Sequence, residues 1–391
     1  MTMALRWRIL AALTFARASM GFQFQSVATV APFITADLAL DKAQLGWLIG
    51  IYLLPGIAIA LPGGLLGARY GDKRVTLIGL GLMTVGGLWL AFAGDFVEAN
   101  AARLVSGAGA VILNVLLTKM VADWFEGKER LFAMSILINS WPIGIGIALF
   151  TVGPLGEFAG WHWAVISSSV FTACGFVAVL GVYRSPAATK QETIMGIGLG
   201  VLTAKEWCLL VVASLPWLLY NAAYQIMVSF LPSFFLENGL TIAHSGAMTA
   251  LNTVIFIVSV QAGGLILKRT ARPDLVCHAA IIGWCITVLL LSGGSQPTLW
   301  IVLGGLVGGL PASGFVSLPA EFLRPQSRGA GMGVFYTIYY LGCAFLPSAA
   351  GVLYDISGSA RAPLWMVIAL AFACVPGLML FRRAMRRVHA A

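Results

Sequence analysis

Long apolar runs separated by short charged or Gly/Pro-containing loops dominate the pattern of this chain. A helix that spans a bilayer needs about 20 mainly apolar residues. On this basis we predict spans over residues 9–34, 44–67, 75–93, 97–120, 131–152, 162–183, 207–236, 245–267, 275–292, 298–319, 329–351 and 362–381. The pattern therefore predicts an all-α membrane protein with twelve transmembrane helices.

Composition agrees with this prediction and excludes other classes. Of the 391 residues, 59% are hydrophobic and 10% are charged, whereas soluble domains carry about 25% charged residues. The formal net charge of +9 therefore does not indicate nucleic acid as a partner. The six cysteines include no CxxC pair, and the four histidines lie near span ends or in the tail. We predict no metal site and no cofactor.

Basic residues fix the expected orientation. Twenty of the 24 Lys and Arg residues precede span one, follow even-numbered spans or lie in the tail. Basic loops stay on the cytoplasmic side. We therefore expect a multi-pass protein of the cell (inner) membrane with both termini in the cytoplasm and the lipid bilayer as a partner.

The chain repeats itself with an offset of about 200 residues. Offsets of 200 and 198 align the following pairs: Gln25 with Gln225, Pro32 with Pro232, Gly63-Gly64-Leu65 with Gly263-Gly264-Leu265, Arg69 with Arg269, Arg130 with Arg328, Met134 with Met332, Gly144 with Gly342, and Gly153 with Gly351. We predict an N-terminal six-helix bundle over 1–183, a cytoplasmic linker over 184–206, and a C-terminal six-helix bundle over 207–391 with a basic tail. Parallel repeats of this kind are typical of transporters whose site lies between the halves.

The loop after span two carries a recognisable motif. The stretch from Gly64 to Arg74 resembles the signature loop of the major facilitator superfamily, G-x-L-a-D-R-x-G-r-k, except that Ala68 stands where the family usually has Asp. The family's charge relay is thus altered here, and Asp72 is a candidate to compensate. The resemblance implies conformational or gating roles for Gly64, Arg69, Gly71, Asp72, Arg74, Arg130, Arg269 and Arg328.

Span four carries a second motif of the same superfamily. The segment from Arg103 to Gly109 resembles the family's R-x-x-x-G-x-G pattern, in which the arginine couples substrate or proton movement to conformational change. The alternative is an arginine that donates hydrogen bonds to carbonyls at a helix contact.

Asp123-Trp124-Phe125, ahead of Arg130, resembles a loop of the superfamily's anion porters. The chain is loosely similar to the cyanate and nitrate/nitrite types.

Two arginines remain inside the spans after every loop charge is assigned. An intramembrane charge is expensive and points to function, although Arg17 also lies near enough to the span's start to snorkel to the interface. Arg17, Gly21 and Gln25 share one helix face because they are four residues apart. No carboxylate is expected deep in the membrane, so the interior favours an anion.

The resemblance implies that spans 1, 2, 4, 5, 7, 8, 10 and 11 line the cavity. Polar and aromatic residues of these spans form the predicted substrate-binding set: Arg17, Gln25, Arg103, Asn114, Asn139, Tyr220, Asn221, Tyr224, Gln225, Asn252, Tyr336 and Tyr340. A single Asn or Gln within a membrane also commonly joins two helices. That structural alternative stands beside the binding role at each position.

The sequence leaves three functions open. The first is a secondary active transporter that moves a small anion, either an inorganic oxyanion or cyanate or an organic carboxylate, by alternating access as a monomer, with a proton or counter-anion as coupled partner. The second is an exporter of neutral or acidic drugs or metabolites. The third is a membrane enzyme or sensor, which the lack of a catalytic constellation disfavours. We predict the first function and no enzymatic activity.

Overall fold

The computed structural model describes residues 3–125, 127–185, 199–324 and 326–390. The chain divides into two compact units, residues 1–194 and 195–391. The described residues form helices joined by short turns and contain no β-strand. The protein is therefore all-α, as the hydrophobic pattern predicts.

The described residues of each unit form a run of α-helices. The first unit contains α1 (Met3–Thr29), α2 (Ala31–Asp37), α3 (Lys42–Gly50), α4 (Gly56–Tyr70), α5 (Asp72–Ala91), α6 (Phe96–Trp124), α7 (Gly127–Ala159) and α8 (Trp161–Val182). The second contains α9 (Ala204–Glu237), α10 (Ile242–Arg269), α11 (Pro273–Ser292), α12 (Pro297–Gly308), α13 (Ala312–Ser317), α14 (Arg328–Ser357) and α15 (Arg361–Ala390). Short 3₁₀ turns occupy Leu199–Val201 and Leu318–Glu321.

These helices account for all twelve predicted spans. Among the described residues, ten helical segments are long and apolar enough to cross a bilayer. The remaining two spans are helical but fail those criteria. Arg17, Gln23 and Gln25 lower the hydropathy of α1, and the second span is divided into α3 and α4, each shorter than 18 residues.

The second span is broken near its middle. After α3 ends at Gly50, the N–H groups of Leu53 and Leu54 bond to carbonyls only three residues earlier, those of Gly50 (2.9 Å) and Ile51 (3.2 Å). Pro55 follows, and a proline has no N–H with which to continue the helical ladder. The break leaves carbonyls at the end of α3 that need other donors.

The described part of the predicted linker is partly helical. Residues 186–198 lie outside the described residues, and α9 begins at Ala204, so residues 204–206 belong to a helix. The Thr203 side chain accepts a hydrogen bond from the backbone of Glu206, whose carboxylate accepts one from the backbone of Thr203. This capping box starts the helix ahead of its apolar run, which explains the displaced boundary.

Within each unit, the first helix packs against the fifth and sixth spans. In the first unit α1 contacts α7 and α8, and in the second α9 contacts α14 and α15. The α1–α7 crossing is close because glycines lie at it. A Cβ atom added to Gly144 would lie 2.0 Å from the Ala18 carbonyl oxygen, and one added to Gly21 would lie 2.2 Å from that of Trp141.

Contacts at repeated positions show the internal repeat in three dimensions. Gly144 faces Ala18 in the first unit, and its counterpart Gly342 faces Leu218 in the second.

The last residues of α2 and α9 also correspond, because Asp37 and Glu237 are 200 residues apart. Asp37 accepts a hydrogen bond from Trp161 Nε1 (2.9 Å), at the start of α8. Glu237 accepts one from the backbone N–H of Ala360 (2.8 Å), next to the start of α15. Each acid therefore ties the first span of its unit to the beginning of the sixth.

Candidate functional site

In the described part of the chain, helix interiors carry charge of one sign only. Every described Asp and Glu lies at a helix end, in an end turn or in a loop, whereas Arg17 and Arg103 lie well inside α1 and α6. The described membrane interior is thus cationic.

Arg103 is fully buried and binds backbone carbonyls. Its Nε donates to the carbonyl of Leu48 (3.1 Å), and one terminal nitrogen donates to that of Gln23 (3.2 Å). The other terminal nitrogen reaches the carbonyls of Phe24 (3.3 Å) and Ile49 (3.4 Å). The guanidinium also lies over the Tyr52 ring, 4.3 Å from its centroid. These contacts match the structural alternative for this arginine.

The break in the second span explains these contacts. Leu48 and Ile49 lie in the last turn of α3, where carbonyls lack the donors that a continuing helix supplies. In a membrane such groups must be satisfied within the protein. Arg103 supplies the donors and ties α3, α1 and α6 together. Sequence reasoning identified the arginine but not the broken helix that it stabilises.

The predicted face of α1 is largely an internal contact. Gly21, its middle residue, packs against the backbone of Trp141 in α7, and Gln25 is fully buried. Arg17, one turn before Gly21, is partly exposed, as are Asn114 in α6 and Asn139 in α7. Arg17 therefore differs from Arg103: part of its side chain is accessible.

Several predicted polar residues of the second unit join neighbouring helices. Tyr220 Oη donates to the Gly308 carbonyl (2.8 Å), Gln225 Nε2 to that of Cys343 (3.1 Å), and Asn252 Nδ2 to that of Ile301 (2.9 Å). All three side chains are buried. Asn221, which is partly exposed, donates to the Trp217 carbonyl of its own helix (2.7 Å). These amides and this phenol hold the bundle together in the present conformation.

Aromatic rings cluster where α9 meets α14. Trp217 stacks on Phe335 with centroids 6.2 Å apart and lies 6.1 Å from Tyr339. Tyr339 in turn lies 5.0 Å from Tyr340 and 6.2 Å from Tyr336. Elsewhere on α9, Tyr224 stacks on Phe256 at 4.3 Å. The predicted set omitted Trp217 and Tyr339, although aromatic residues recurring every three or four positions would have indicated them.

The signature loop contains an ion pair in place of the missing family aspartate. Asp72 Oδ2 binds Lys119 Nζ at 2.6 Å, which links the start of α5 to the end of α6. A Cβ added to Gly67 would lie 2.4 Å from Asp72 Oδ1, so this glycine makes room for the carboxylate. Gly71 has φ +89°, a conformation that favours glycine at the turn between α4 and α5. Lys119 was not among the predicted residues.

Most of the other predicted gating residues lie near helix ends. Arg69 lies over the ring of Tyr70 at 5.3 Å, and Arg130 Nε donates to the Phe125 carbonyl (2.9 Å). Gly64 lies within α4. Exposed side chains are found at Arg74 in α5, Arg269 at the end of α10 and Arg328 at the start of α14.

The second unit replaces the Asp72–Lys119 pair with three charges. Asp274 lies at the start of α11 and Glu321 in the 3₁₀ turn Leu318–Glu321, and both residues are acidic. Arg382 of α15 bridges them: its Nε and one terminal nitrogen each bind Asp274 at 2.8 Å, and it also binds Glu321. The sequence did not reveal this bridge, because its three members are far apart in the chain.

A further cluster surrounds Glu206, ahead of the apolar part of α9. Arg324 donates to it through Nε (3.0 Å) and a terminal nitrogen (2.9 Å), Thr203 donates through its backbone N–H (2.9 Å), and Ser327 Oγ is also bonded. The Arg324 guanidinium holds the pKa of Glu206 well below its usual value, against the opposing effect of burial. Glu206 therefore stays ionised and fastens the loop before α14 to the start of α9.

The fold, the charged helix-end motifs and the cationic interior define a polytopic transporter. The family model described as Major Facilitator Superfamily matches residues 13–315. The chain therefore belongs to the major facilitator superfamily, and it is a membrane transporter, not an enzyme.

Curated relatives and a solved structure agree. The chain is 28% identical to the 3-(3-hydroxy-phenyl)propionate transporter of Escherichia coli over 85% of this chain and 83% of the relative. It is 25% identical to the cyanate transport protein CynX of the same species over 82% of each chain. It also matches a crystal structure of the nucleoside transporter NupG with a TM-score of 0.78 and 13% identity, over 96% of this chain and 99% of that one. The last match shows the fold alone.

Proposed function

We propose that this protein is a secondary active transporter of a small anion that carries a carboxylate or a similarly compact charge. The observation that carries the proposal is the sign of the interior charge. Among the described residues, Arg17 and Arg103 are charged well inside the helices, and the acids are confined to helix ends and loops. A cationic interior of low dielectric favours an anion and disfavours a cation.

The two arginines have different roles in this proposal. Arg103 is fully buried and already binds four carbonyls, so it maintains the scaffold around the break between α3 and α4. Arg17 is partly exposed and recognises the substrate. An arginine suits this task because its planar fork can donate two parallel hydrogen bonds to a carboxylate.

The names of the relatives support the same substrate class. A hydroxyphenylpropionate and cyanate are both anions near neutral pH. The proposal therefore covers both an organic carboxylate and a small inorganic anion such as cyanate.

The proposal includes the coupling and the location of the protein. A proton carried by a deep Asp or Glu is disfavoured by the helix-end positions of the described acids, so a proton would travel with the anion, or a counter-anion would be exchanged. We place the protein in the cell (inner) membrane as a monomer with both termini in the cytoplasm. The basic residues at the ends of α4, α10 and α15 support this orientation.

Uptake into proteoliposomes tests the proposal. The panel contains 3-phenylpropionate, cyanate, a neutral sugar and a lipophilic cation. We expect the two anions, and not the sugar or cation, to enter or to compete. Arg17→Gln should weaken anion binding roughly 10- to 100-fold, since a hydrogen bond to a charged group is worth about 1.5–3 kcal/mol.

Two variants control this test. Arg17→Lys keeps the charge and should retain part of the binding, and Arg184→Gln removes an exposed arginine elsewhere and should bind like the parent. Equal anion binding by Arg17→Gln and the parent protein, with both folded, would contradict the role of Arg17. Preferential transport of neutral or lipophilic compounds would instead favour the exporter.

A further inference from the structure

An exposed basic surface lies on the second unit, around the ends of α10 and α15. We call it the basic patch, and it consists of Lys268, Arg269, Arg272, Arg383, Arg386 and Arg387. All six side chains are exposed. Within the part of the chain that the structure describes, none of them forms an ion pair. The patch therefore presents six positive charges to its surroundings.

Tertiary contacts bring the two halves of the patch together. Arg382, next to Arg383 in α15, binds both carboxylate oxygens of Asp274, which follows Arg272 by two residues. The same arginine also binds Glu321. Because Arg382 binds Asp274 and Glu321, these two acids do not pair with the six patch residues. The patch can therefore bind an external partner.

Exposed apolar side chains adjoin the patch on each helix. Leu265 and Ile266 precede Lys268 and Arg269 in α10, and they are 62% and 43% exposed. Met379 and Leu380 precede Arg383 in α15, and they are 49% and 51% exposed. Leu275 follows Arg272 and is 58% exposed. Apolar surface directly beside a row of cations matches a molecule with acyl chains and an anionic head group.

A cavity opens beside these charges. Its volume is about 310 Å³, and Lys268, Ser313, Ser317, Asp274, Glu321 and Arg382 are among its lining residues. The serine hydroxyls on its wall can hydrogen-bond a polar head group, while Lys268 and the patch bind a phosphate. A head group that combines a phosphate with hydroxyls meets both requirements.

We propose that the basic patch and this cavity form a binding site for an anionic phospholipid of the phosphatidylglycerol type. The phosphodiester binds the cations of α10 and α15, the glycerol hydroxyls enter the cavity, and the acyl chains cover the adjoining leucine, isoleucine and methionine side chains. The bound lipid pins the end of α15 to the ends of α10 and α11. This site is separate from the proposed transport role of Arg17.

Lipid binding to the purified full-length protein, measured by native mass spectrometry, tests the site. The probes are phosphatidylglycerol and phosphatidylcholine with identical acyl chains. We expect phosphatidylglycerol to bind roughly tenfold tighter than phosphatidylcholine, and the triple variant Arg383→Gln, Arg386→Gln, Arg387→Gln to lose that preference. The corresponding Arg→Lys triple variant should keep it.

A second triple variant provides a matched control. Arg8→Gln, Arg184→Gln, Lys205→Gln removes the same charge from three exposed positions outside the patch and should keep the preference. The site is refuted if the tail variant binds phosphatidylglycerol like the parent protein, or if the control variant loses as much. Competition by millimolar inorganic phosphate that matches the lipid's effect would also refute it, because the site would then bind a free anion.

Discussion

Arg103 belongs to the sequence motif in α6 and also supplies hydrogen-bond donors that the broken second span requires. The end of α3 exposes carbonyls inside the membrane, and the four hydrogen bonds of Arg103 reach α3 and α1. An isolated buried cation would be costly, but donors satisfied by carbonyls and a ring beneath the guanidinium offset that cost. The motif in α6 is therefore explained locally by the break in the second span.

We predict that Arg103→Leu destabilises the folded protein by about 2–5 kcal/mol, since it leaves several buried carbonyls without donors. Arg103→Lys should recover only part of this loss, because one ammonium cannot reach both helices. Thermal unfolding of the purified variants measures both effects. Arg184→Leu is the control at an exposed site, and an Arg103→Leu variant as stable as this control would contradict the assignment.

The Glu206 cluster predicts a dependence of stability on pH. Because Arg324 lowers the pKa of this carboxyl in the folded state, its stabilising effect is complete above the usual glutamate pKa of about 4.3 and is lost as the pH falls towards the lowered value. Unfolding temperatures measured from pH 7 to pH 3.5 should therefore fall at the acid end.

The variant Glu206→Gln should be less stable at neutral pH and should lose less stability on acidification than the parent. Glu129→Gln is the control, because Glu129 pairs with Arg6 on the surface and is half exposed. Identical pH profiles for Glu206→Gln and the parent protein would show that this carboxyl is not the titrating group.

At the scale of helices, glycine determines how closely two spans can cross. The backbone of Ala18 in α1 occupies the space where a Cβ of residue 144 would lie. Small residues at such crossings allow backbones to touch, which is how helices associate where apolar lipid gives no driving force. In the second unit Gly342 faces the Leu218 side chain, which can move more easily than a backbone.

We therefore predict that Gly144→Ala destabilises the protein by about 1–3 kcal/mol, as overpacking typically does, and that Gly342→Ala costs less. Gly146→Ala is a matched control in the same helix, since nothing lies within 4 Å of an added Cβ there. Thermal unfolding of the three variants compares them directly. Equal unfolding temperatures for the 144 and 146 variants would argue against a close crossing.

At the scale of the whole molecule, the two units share a plan but differ in their charges. Asp37 and Glu237, the acids that tie the first span to the sixth in each unit, are 200 residues apart. The signature loop departs from the repeat: Asp72 and Lys119 pair directly, whereas Asp274 and Glu321 need Arg382 between them. The second unit therefore depends on its C-terminal helix for an interaction that the first unit makes within α5 and α6.

We predict that the Asp72–Lys119 pair of the signature loop contributes to the rate of transport. We expect Asp72→Asn and Lys119→Gln each to slow substrate uptake several-fold with little change in substrate affinity, since both residues lie towards helix ends and outside the predicted substrate-binding set. The exchanged variant Asp72→Lys, Lys119→Asp should regain part of the rate. Uptake rate and substrate affinity are measured separately in proteoliposomes. Variants with normal rates, or with affinity reduced instead, would exclude a conformational role for this pair.

The class of fold follows from the sequence alone, because each apolar run is long enough to cross a bilayer and helices satisfy the backbone hydrogen bonds that lipid cannot. Glycines and charges at fixed offsets indicated the repeat. The motifs after span two and in span four indicated the superfamily. Arg17 and Arg103 stood out because charge is rare in such runs. These conclusions depend on local composition and spacing, which a sequence displays directly.

The contacts that those residues make depend on how the helices pack. Only the fold shows that Arg103 binds the broken end of α3, that Gln225 and Asn252 join helices, and that Asp72 binds Lys119. Each of these interactions joins residues that are more than 40 positions apart. The periodicity of residues along one helix cannot predict such a contact. The contact depends on which helices pack together and on their relative positions along the membrane normal. Packing therefore separated the scaffold arginine from the accessible one, although both belong to the predicted substrate-binding set.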